Sequence, residues 1–162
     1  MMAFAQGIAL AVVEVPTEAG THWPGQSLAP QAFRDCRLQD KLAALGYKVD
    51  TTTALKAGPE KWVPTSVVNG VRNEAATLRV MREVREHLSK EVLDPSNRVD
   101  GPFPIILGGD CSISPAVFSS VCHAYPHSRV GLLYVDNDAD LTLPSETSAP
   151  GMQTLPQKPS QD

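Results

Sequence analysis

The sequence predicts an α/β protein with three layers, in which helices cover both faces of a mainly parallel sheet. Three β-type runs, at residues 8–15, 103–109 and 129–136, are apolar almost throughout, which is typical of strands buried on both faces. Segments with helical periodicity lie between them, and alternation of strand and helix is the pattern that builds a parallel sheet.

The first half of the chain supplies two strands and one helix. IALAVVEV, residues 8–15, predicts the first strand, and a loop rich in Gly and Pro follows it. QAFRDCRLQDKLAALG, residues 31–46, predicts one helix, because Phe33 and three leucines lie near one face and Gly46 is a natural C-cap. YKVDT, residues 47–51, predicts a short second strand.

The second half repeats the alternation. Residues 70–92 have the clearest helical period, with apolar residues at steps of three and four, and the turn-rich DPSNRVDG follows them. FPIILGG, residues 103–109, predicts a third strand, and SISPAVFSSVCHAY, residues 112–125, predicts a helix with Pro in its first turn. RVGLLYVD, residues 129–136, predicts a fourth buried strand.

Composition divides the chain and excludes some partners. Residues 1–143 read as one structured unit, whereas residues 144–162 are polar, rich in Pro and without a period, so we expect a loop and a disordered tail. Net charge is -4 and the basic residues form no stripe, which argues against nucleic acid. No apolar run is long enough to span a bilayer. Three cysteines without paired spacing fit a reducing compartment, so we expect a cytoplasmic protein.

Two strands end in residues that suit a cation. Ligands of parallel α/β sheets bind beyond the carboxyl ends of the strands, and Gly108-Gly109-Asp110-Cys111-Ser112 and Asp136-Asn137-Asp138-Ala139-Asp140 stand at two such ends. Carboxylates this close repel each other unless a cation lies between them. Oxygen donors favour hard ions such as Mn²⁺ or Mg²⁺, whereas a Cys111 thiolate tilts the preference toward Zn²⁺. The alternative is a solvated loop in which the Asp residues form turns and caps.

These two motifs resemble those of the ureohydrolase (arginase/agmatinase) family. Members have one strand followed by Gly-Gly-Asp-His-Ser and another followed by Asp-x-His-x-Asp; this sequence reads ILGGDCSIS and YVDNDADLTLP at the matching positions. PGQSLAPQAFRDCRLQDKLAALGYKVD also resembles the opening of the family, so the likeness covers residues 8–143. It implies the N-terminal part of an arginase-like domain with altered metal motifs.

The resemblance assigns roles to five residues. Cys111 stands in place of the first His ligand and Asp138 in place of the second, while Asp136 and Asp140 match the two Asp ligands. Asp136 would bridge two ions and, with Asp138, lie at the reacting centre. Asp110 would support the site without binding metal. A thiolate and an extra carboxylate in place of two imidazoles would favour cation binding but weaken the Lewis acidity of the metal.

The family mechanism is hydrolysis of a guanidino or amidine carbon by a hydroxide bound to two metal ions, typically Mn²⁺. The second half of that site comes from a later strand ending in Asp-x-Asp, which this sequence lacks. Strands of that half would also lie between residues 103–109 and 129–136. We therefore expect a truncated chain without turnover, and its substrate-binding residues cannot be named.

A second hypothesis is a non-catalytic arginase-like protein that binds or regulates another chain. The partner would be a full-length homologue or further copies of this chain, since family members assemble into oligomers.

Overall fold

The computed structural model describes residues 7–21, 23–63, 67–68, 71–93 and 101–136. Its strands and helices, in chain order, are β1 (Ala9–Val15), α1 (Ala29–Asp35), α2 (Leu38–Ala44), β2 (Lys48–Thr53), β3 (Val67–Val68), β4 (Val71–Arg72), α3 (Glu74–His87), β5 (Phe103–Gly108) and α4 (Ser114–Ala124). Short 3-10 turns, Gln26–Leu28 and Cys111–Ile113, precede α1 and α4, and a π-helical turn, Leu88–Val92, follows α3.

A parallel sheet of three strands in the order β2-β1-β5 forms the centre of the fold. β1 pairs with β2 from Ala9 opposite Lys48, and with β5 from Leu10 opposite Phe103. The short strands β3 and β4 form a separate antiparallel pair. The α/β class with a parallel sheet, predicted from the apolar runs, is therefore confirmed.

Alternation along β1 distributes its side chains between two helical layers. Val13 and Val15 are fully buried and belong to the main core, which they share with residues of α3 and α4. Val12 and Glu14 point to the opposite face, where they meet Phe33 and Arg34 of α1. Helices therefore cover both faces of the sheet, because successive residues of a strand point in opposite directions.

The helix predicted over residues 31–46 is divided in two, and that prediction of one continuous helix is wrong. α1 ends at Asp35, and Arg37 adopts a left-handed conformation (φ 56°) before α2 begins at Leu38. The break turns both short helices toward the sheet, so that Phe33 and Leu38 line the same small cavity above Val12. Packing against the sheet therefore overrides the helical propensity of the connecting residues.

The third helix begins later than the sequence pattern indicates. The pattern predicts a helix from residue 70, whereas residues 71–72 form β4 and α3 begins at Glu74, after Asn73 in a left-handed conformation. A stripe of buried residues at steps of four, Val80, Val84 and Leu88, faces the core.

The segment at residues 129–136 does not form the predicted fourth strand. Residues 131–136 are exposed; Leu132, Leu133 and Val135 keep 63%, 89% and 86% of their surface accessible. β-Type residues form a strand only where a neighbouring backbone accepts their hydrogen bonds, and within the described ranges no strand adds to β5 on the side away from β1. The sequence pattern was correct about apolarity and wrong about burial.

β5 is therefore an edge strand in the described part of the chain. The N–H of Gly109 donates to the carbonyl of Val15 at 3.0 Å, so the odd-numbered residues of β5 face β1. The backbone groups of Pro104, Ile106 and Gly108 then face outward, by the alternation of a parallel ladder. Pro104 has no N–H to offer, and proline is typical of a strand edge.

The domain boundary predicted between residues 143 and 144 lies outside the described residues. Among the helices that the structure describes, none is both long enough and apolar enough to cross a membrane.

Candidate functional site

The loops that follow β1 and β5 meet at the carboxyl edge of the sheet. The backbone of Gly109 lies against Thr17, so closely that a Cβ at position 109 would stand 1.8 Å from the Thr17 carbonyl oxygen. Thr17 itself is fully buried. Only glycine permits this contact, and it places the residues after β5 directly beside the loop after β1.

Asp110 connects the two loops through hydrogen bonds. It is 7% exposed; its Oδ2 accepts from the N–H of Gly20 at 3.2 Å, and its Oδ1 accepts from the N–H of Ser112 at 2.9 Å. The second bond caps the 3-10 turn that leads into α4. A Cβ at Gly20 would stand 2.8 Å from Asp110 Oδ1, so the contact leaves no room for a side chain there.

Asn73 holds the same part of the β1 loop from the side of α3. Its Nδ2 donates to the carbonyl oxygen of Ala19 at 3.0 Å, and the residue is 4% exposed. The carbonyl of Ala19 and the N–H of Gly20 belong to one peptide group. Asn73 and Asp110 therefore bind that single group from its two sides.

Glu18 organises the rest of the β1 loop around a buried carboxylate. Its Oε2 accepts from the N–H of Gly25 at 2.8 Å and from the hydroxyl of Ser27 at 2.9 Å, and its Oε1 accepts from the N–H of Trp62 at 2.9 Å. Burial acts to raise the pKa of Glu18, but the hydrogen bonds from Trp62, Gly25 and Ser27 together lower it below its ordinary value of 4.5.

The loop after β2 joins this assembly through Glu60. Its backbone N–H donates to the carbonyl of Pro16 at 2.9 Å, and its carbonyl accepts from the N–H of Glu18 at 3.2 Å. The Glu60 side chain forms an ion pair with Arg79 of α3. The loops after all three strands of the parallel sheet are thus connected by hydrogen bonds at one edge.

The structure places the predicted ligands in two different settings. Cys111 is exposed at the first residue of the 3-10 turn, one residue beyond the buried Asp110. Asp136 is exposed at the end of the described segment, where the hydroxyl of Tyr134 donates to its Oδ2 at 3.3 Å. Asp138 and Asp140 lie outside the described residues.

The described donors do not by themselves fit a metal ion. No group of three or more His, Cys, Asp or Glu residues in the described ranges is arranged to hold one. Both carboxylate oxygens of Asp110 already accept hydrogen bonds from backbone N–H groups. Asp110 is thus engaged as a structural acceptor.

Sequence reasoning missed Glu18 and Asn73. Glu18 stands just after β1, at the same sheet edge as the predicted motifs, so the rule about carboxyl ends of strands could have identified it. Asn73 precedes Glu74 at the true start of α3. The pattern gave no signal for it, because its role depends on a contact with the distant residue Ala19.

The chain matches the family model described as Arginase family over residues 8–156. It is 28% identical over 148 residues to an arginase of Staphylococcus aureus (strain MRSA252), covering 90% of this chain and 46% of the relative. It is 27% identical over 142 residues to an arginase of Bacillus caldovelox, covering 88% of this chain and 44% of the relative. The chain thus spans about half the length of these curated relatives.

The fold is similar to that of solved arginase structures. The arginase of Entamoeba histolytica, solved in complex with L-ornithine, superposes with a TM-score of 0.71 at 23% identity, covering 90% of this chain and 47% of that one. The Bacillus subtilis arginase gives a TM-score of 0.53 at 19% identity, covering 71% of this chain and 34% of that one. At these identities the likeness concerns the fold.

Proposed function

The chain belongs to the arginase family, and from this premise we propose that it forms the N-terminal half of a metal-dependent amidinohydrolase of the ureohydrolase class. The reaction proposed for the complete enzyme is hydrolysis of a C–N bond in a guanidino or amidine compound. The chain alone is proposed to have no turnover, because its sequence lacks the later Asp-x-Asp motif that the family site requires.

One observation carries this proposal: the family match runs through both motifs, at residues 108–112 and 136–140. The geometry of the first motif supports it. The Gly108–Ser112 loop stands at the carboxyl edge of the parallel sheet and is fixed there by Asp110 and Gly109. Ligands of such sheets bind at that edge.

The proposed donors are Cys111, Asp136, Asp138 and Asp140. Enzymes of this family generally use a pair of Mn²⁺ ions, and three carboxylates suit that metal. The thiol of Cys111 is a softer donor, so Zn²⁺ is the alternative ion. Because the described residues do not gather these donors, we propose that the site forms when residues 131–136 become a strand beside the rest of the domain.

A comparison of the isolated chain with any longer product of its gene tests this proposal. We expect no urea from arginine, agmatine or guanidinobutyrate with the chain in the presence of Mn²⁺, and urea from at least one of them with a longer product that contains an Asp-x-Asp motif. Asp136→Asn in the longer product should abolish release. Robust turnover by the isolated chain would refute the proposal that it is inactive alone. A longer product that retains no metal would refute the proposal of a metal-dependent hydrolase.

A non-catalytic binding or regulatory role is the second candidate. The exposed apolar side chains of Leu132, Leu133 and Val135 favour it, because apolar patches of this kind mark contacts with other polypeptides. The proposed partner is a full-length homologue or a second copy of this chain. Co-purification with a longer ureohydrolase would support this role, whereas a monomer at all accessible concentrations would count against it.

The proposed setting is the cytoplasm, which the odd count of three cysteines supports. Residues 1–143 are proposed as the arginase-like part and residues 144–162 as a tail.

A further inference from the structure

We infer that Asn73 and Asp110 are positioning residues that fix the location of Cys111 at the carboxyl edge of the sheet; the inference rests on the proposed function, in which Cys111 is a metal ligand. Neither residue reaches a substrate or an ion in this role. They act by holding the peptide group between Ala19 and Gly20, against which the Cys111 loop is built.

The peptide group between Ala19 and Gly20 is bound at both its oxygen and its N–H. Asn73 Nδ2 donates to its oxygen at 3.0 Å, and its N–H donates to Asp110 Oδ2 at 3.2 Å. Both side chains are buried, at 4% and 7% exposure, so water competes poorly for either bond. The start of α3, the β1 loop and the β5 loop are therefore connected through one rigid, planar unit.

The two loops lie so close together that there is little free space between them. A Cβ would stand 2.8 Å from Asp110 Oδ1 and Ser112 Cβ if Gly20 had one, and 1.8 Å from the Thr17 oxygen if Gly109 had one. The β5 loop thus cannot move toward the β1 loop. The hydrogen bonds prevent it from moving away.

Asp110 and Cys111 are neighbours in the sequence but differ in their surroundings. Asp110 is buried and accepts hydrogen bonds from the N–H of Gly20, in the β1 loop, and from the N–H of Ser112, within the 3-10 turn, whereas Cys111 is exposed. The exposed Cys111 therefore belongs to a turn whose backbone is held in place by its buried neighbour. A ligand held in this manner loses little conformational freedom when a metal binds, and supporting partners of metal ligands act by such orientation.

Asn73 has a left-handed backbone conformation. Its φ of 54° is unfavourable for residues other than glycine, although asparagine tolerates it best. Its side chain does not cap α3, the usual task of an asparagine at this position. Instead the side chain donates a hydrogen bond to the carbonyl of Ala19. This bond explains why asparagine stands at a position where glycine would have less backbone strain.

The test measures how fast each cysteine of the intact chain is alkylated, by peptide-resolved mass spectrometry. Asn73→Gly keeps the left-handed backbone and removes the donor, and Asp110→Asn removes one of two acceptors. We expect both to speed alkylation of Cys111 relative to Cys36, an exposed thiol in another part of the fold. Gly131→Ala, where an added Cβ would meet no atom within 4 Å, is the control and should leave this ratio unchanged.

Alkylation of the half-buried Cys122 reports general opening of the fold. A faster alkylation of Cys111 without a faster alkylation of Cys122 would therefore indicate lost positioning rather than lost stability. Should Asn73→Gly fail to fold, Asn73→Asp replaces it, since Asp tolerates the same backbone and also lacks the donor. The inference would be overturned if folded variants at positions 73 and 110 both showed the same ratio of Cys111 to Cys36 alkylation as the parent chain.

A parallel measurement keeps the proposed function separate. In a metal-competent longer product, Cd²⁺ should protect Cys111 from alkylation, and either substitution should raise the half-protecting concentration about tenfold or more. Lack of protection in the parent would count against the metal site. The alkylation ratio without metal would still decide the positioning role.

Discussion

Asn73 and Asp110 bind opposite sides of the same peptide group, the one between Ala19 and Gly20. The two residues lie on different elements, one at the start of α3 and the other after β5. The loop after β1 is thereby hydrogen-bonded to both elements and does not depend on its own short-range contacts alone.

Arg37 and Asn73, the left-handed residues other than glycine in the described ranges, should respond to substitution by glycine in opposite directions. Arg37→Gly relieves an exposed left-handed residue and loses a surface ion pair with Asp40, so we expect a gain of about 1 kcal/mol in unfolding free energy. Asn73→Gly relieves less strain, because asparagine tolerates this backbone, and leaves a buried carbonyl without its donor, so we expect a net loss of about 1 kcal/mol. Urea unfolding measures both, and equal signs would contradict the prediction.

Gly109 and Gly131 should differ sharply in their tolerance of alanine. At Gly109 a Cβ would overlap the backbone of Thr17, so we expect Gly109→Ala to destabilise the fold by about 3 kcal/mol. At Gly131 nothing lies within 4 Å of the added Cβ, and the substitution should be neutral. Thermal unfolding of the two variants gives the comparison, and a tolerant Gly109 would mean that the loops do not meet as described.

Glu18→Gln tests the buried carboxylate of the β1 loop. The amide would turn an NH₂ group toward N–H donors of Gly25 or Trp62, so we expect a loss of about 2 kcal/mol at neutral pH. The pKa of Glu18 lies below its ordinary value, so its stabilisation is present above pH 4.5 and lost as the pH falls below it. The variant should flatten that part of the pH profile; Glu74→Gln, at an exposed position, is the control.

Glu86 should give a second acid-dependent contribution that salt weakens. Hydrogen bonds from Lys56 and then Lys90 lower the pKa of Glu86 from 4.5 to about 2. Its stabilisation is therefore present above pH 4.5 and is lost as the pH falls toward 2. Both partners are exposed, so salt should screen the effect. Carboxyl chemical shifts at low and high salt would show it, and a salt-independent titration would contradict it.

Leu133→Asp should be neutral for stability and favourable for solubility. Leu133 is 89% exposed, so an acid there buries no charge and removes apolar surface. Val84→Asp, at a fully buried site in α3, is the destabilising comparison. If Leu133→Asp instead unfolds the chain, residues 129–136 are packed as the buried strand that the sequence pattern predicts.

The sequence was sufficient to locate β1 and β5, because both are apolar β-type runs; β1 is largely buried as predicted, whereas β5 is only partly buried at the edge of the described sheet. It was insufficient for the break at Arg37 and the start of α3 at Glu74, since packing against the sheet sets both. It failed at residues 129–136, where apolar β-type residues lack a neighbouring strand in the described part of the chain.

The candidate site, like the fold, could be predicted from the sequence only in part. The Gly108–Ser112 loop was predicted at the carboxyl edge of the sheet, because that location follows from strand order alone. The contacts of Glu18 and Asn73 were not, since each joins residues far apart in the sequence. Whether Asp136 joins Cys111 depends on a strand that the sequence pattern implies and the structure leaves unformed, so that part of the site stays a prediction.

Pro104 limits where another strand can attach to β5. The outward N–H groups of this strand come from Ile106 and Gly108 alone, since Pro104 has none. An incoming backbone would find its donors at the end nearest the Gly108–Ser112 loop. Attachment of a neighbouring strand and formation of the proposed metal site would then occur together, and Pro104 would restrict the register of that strand.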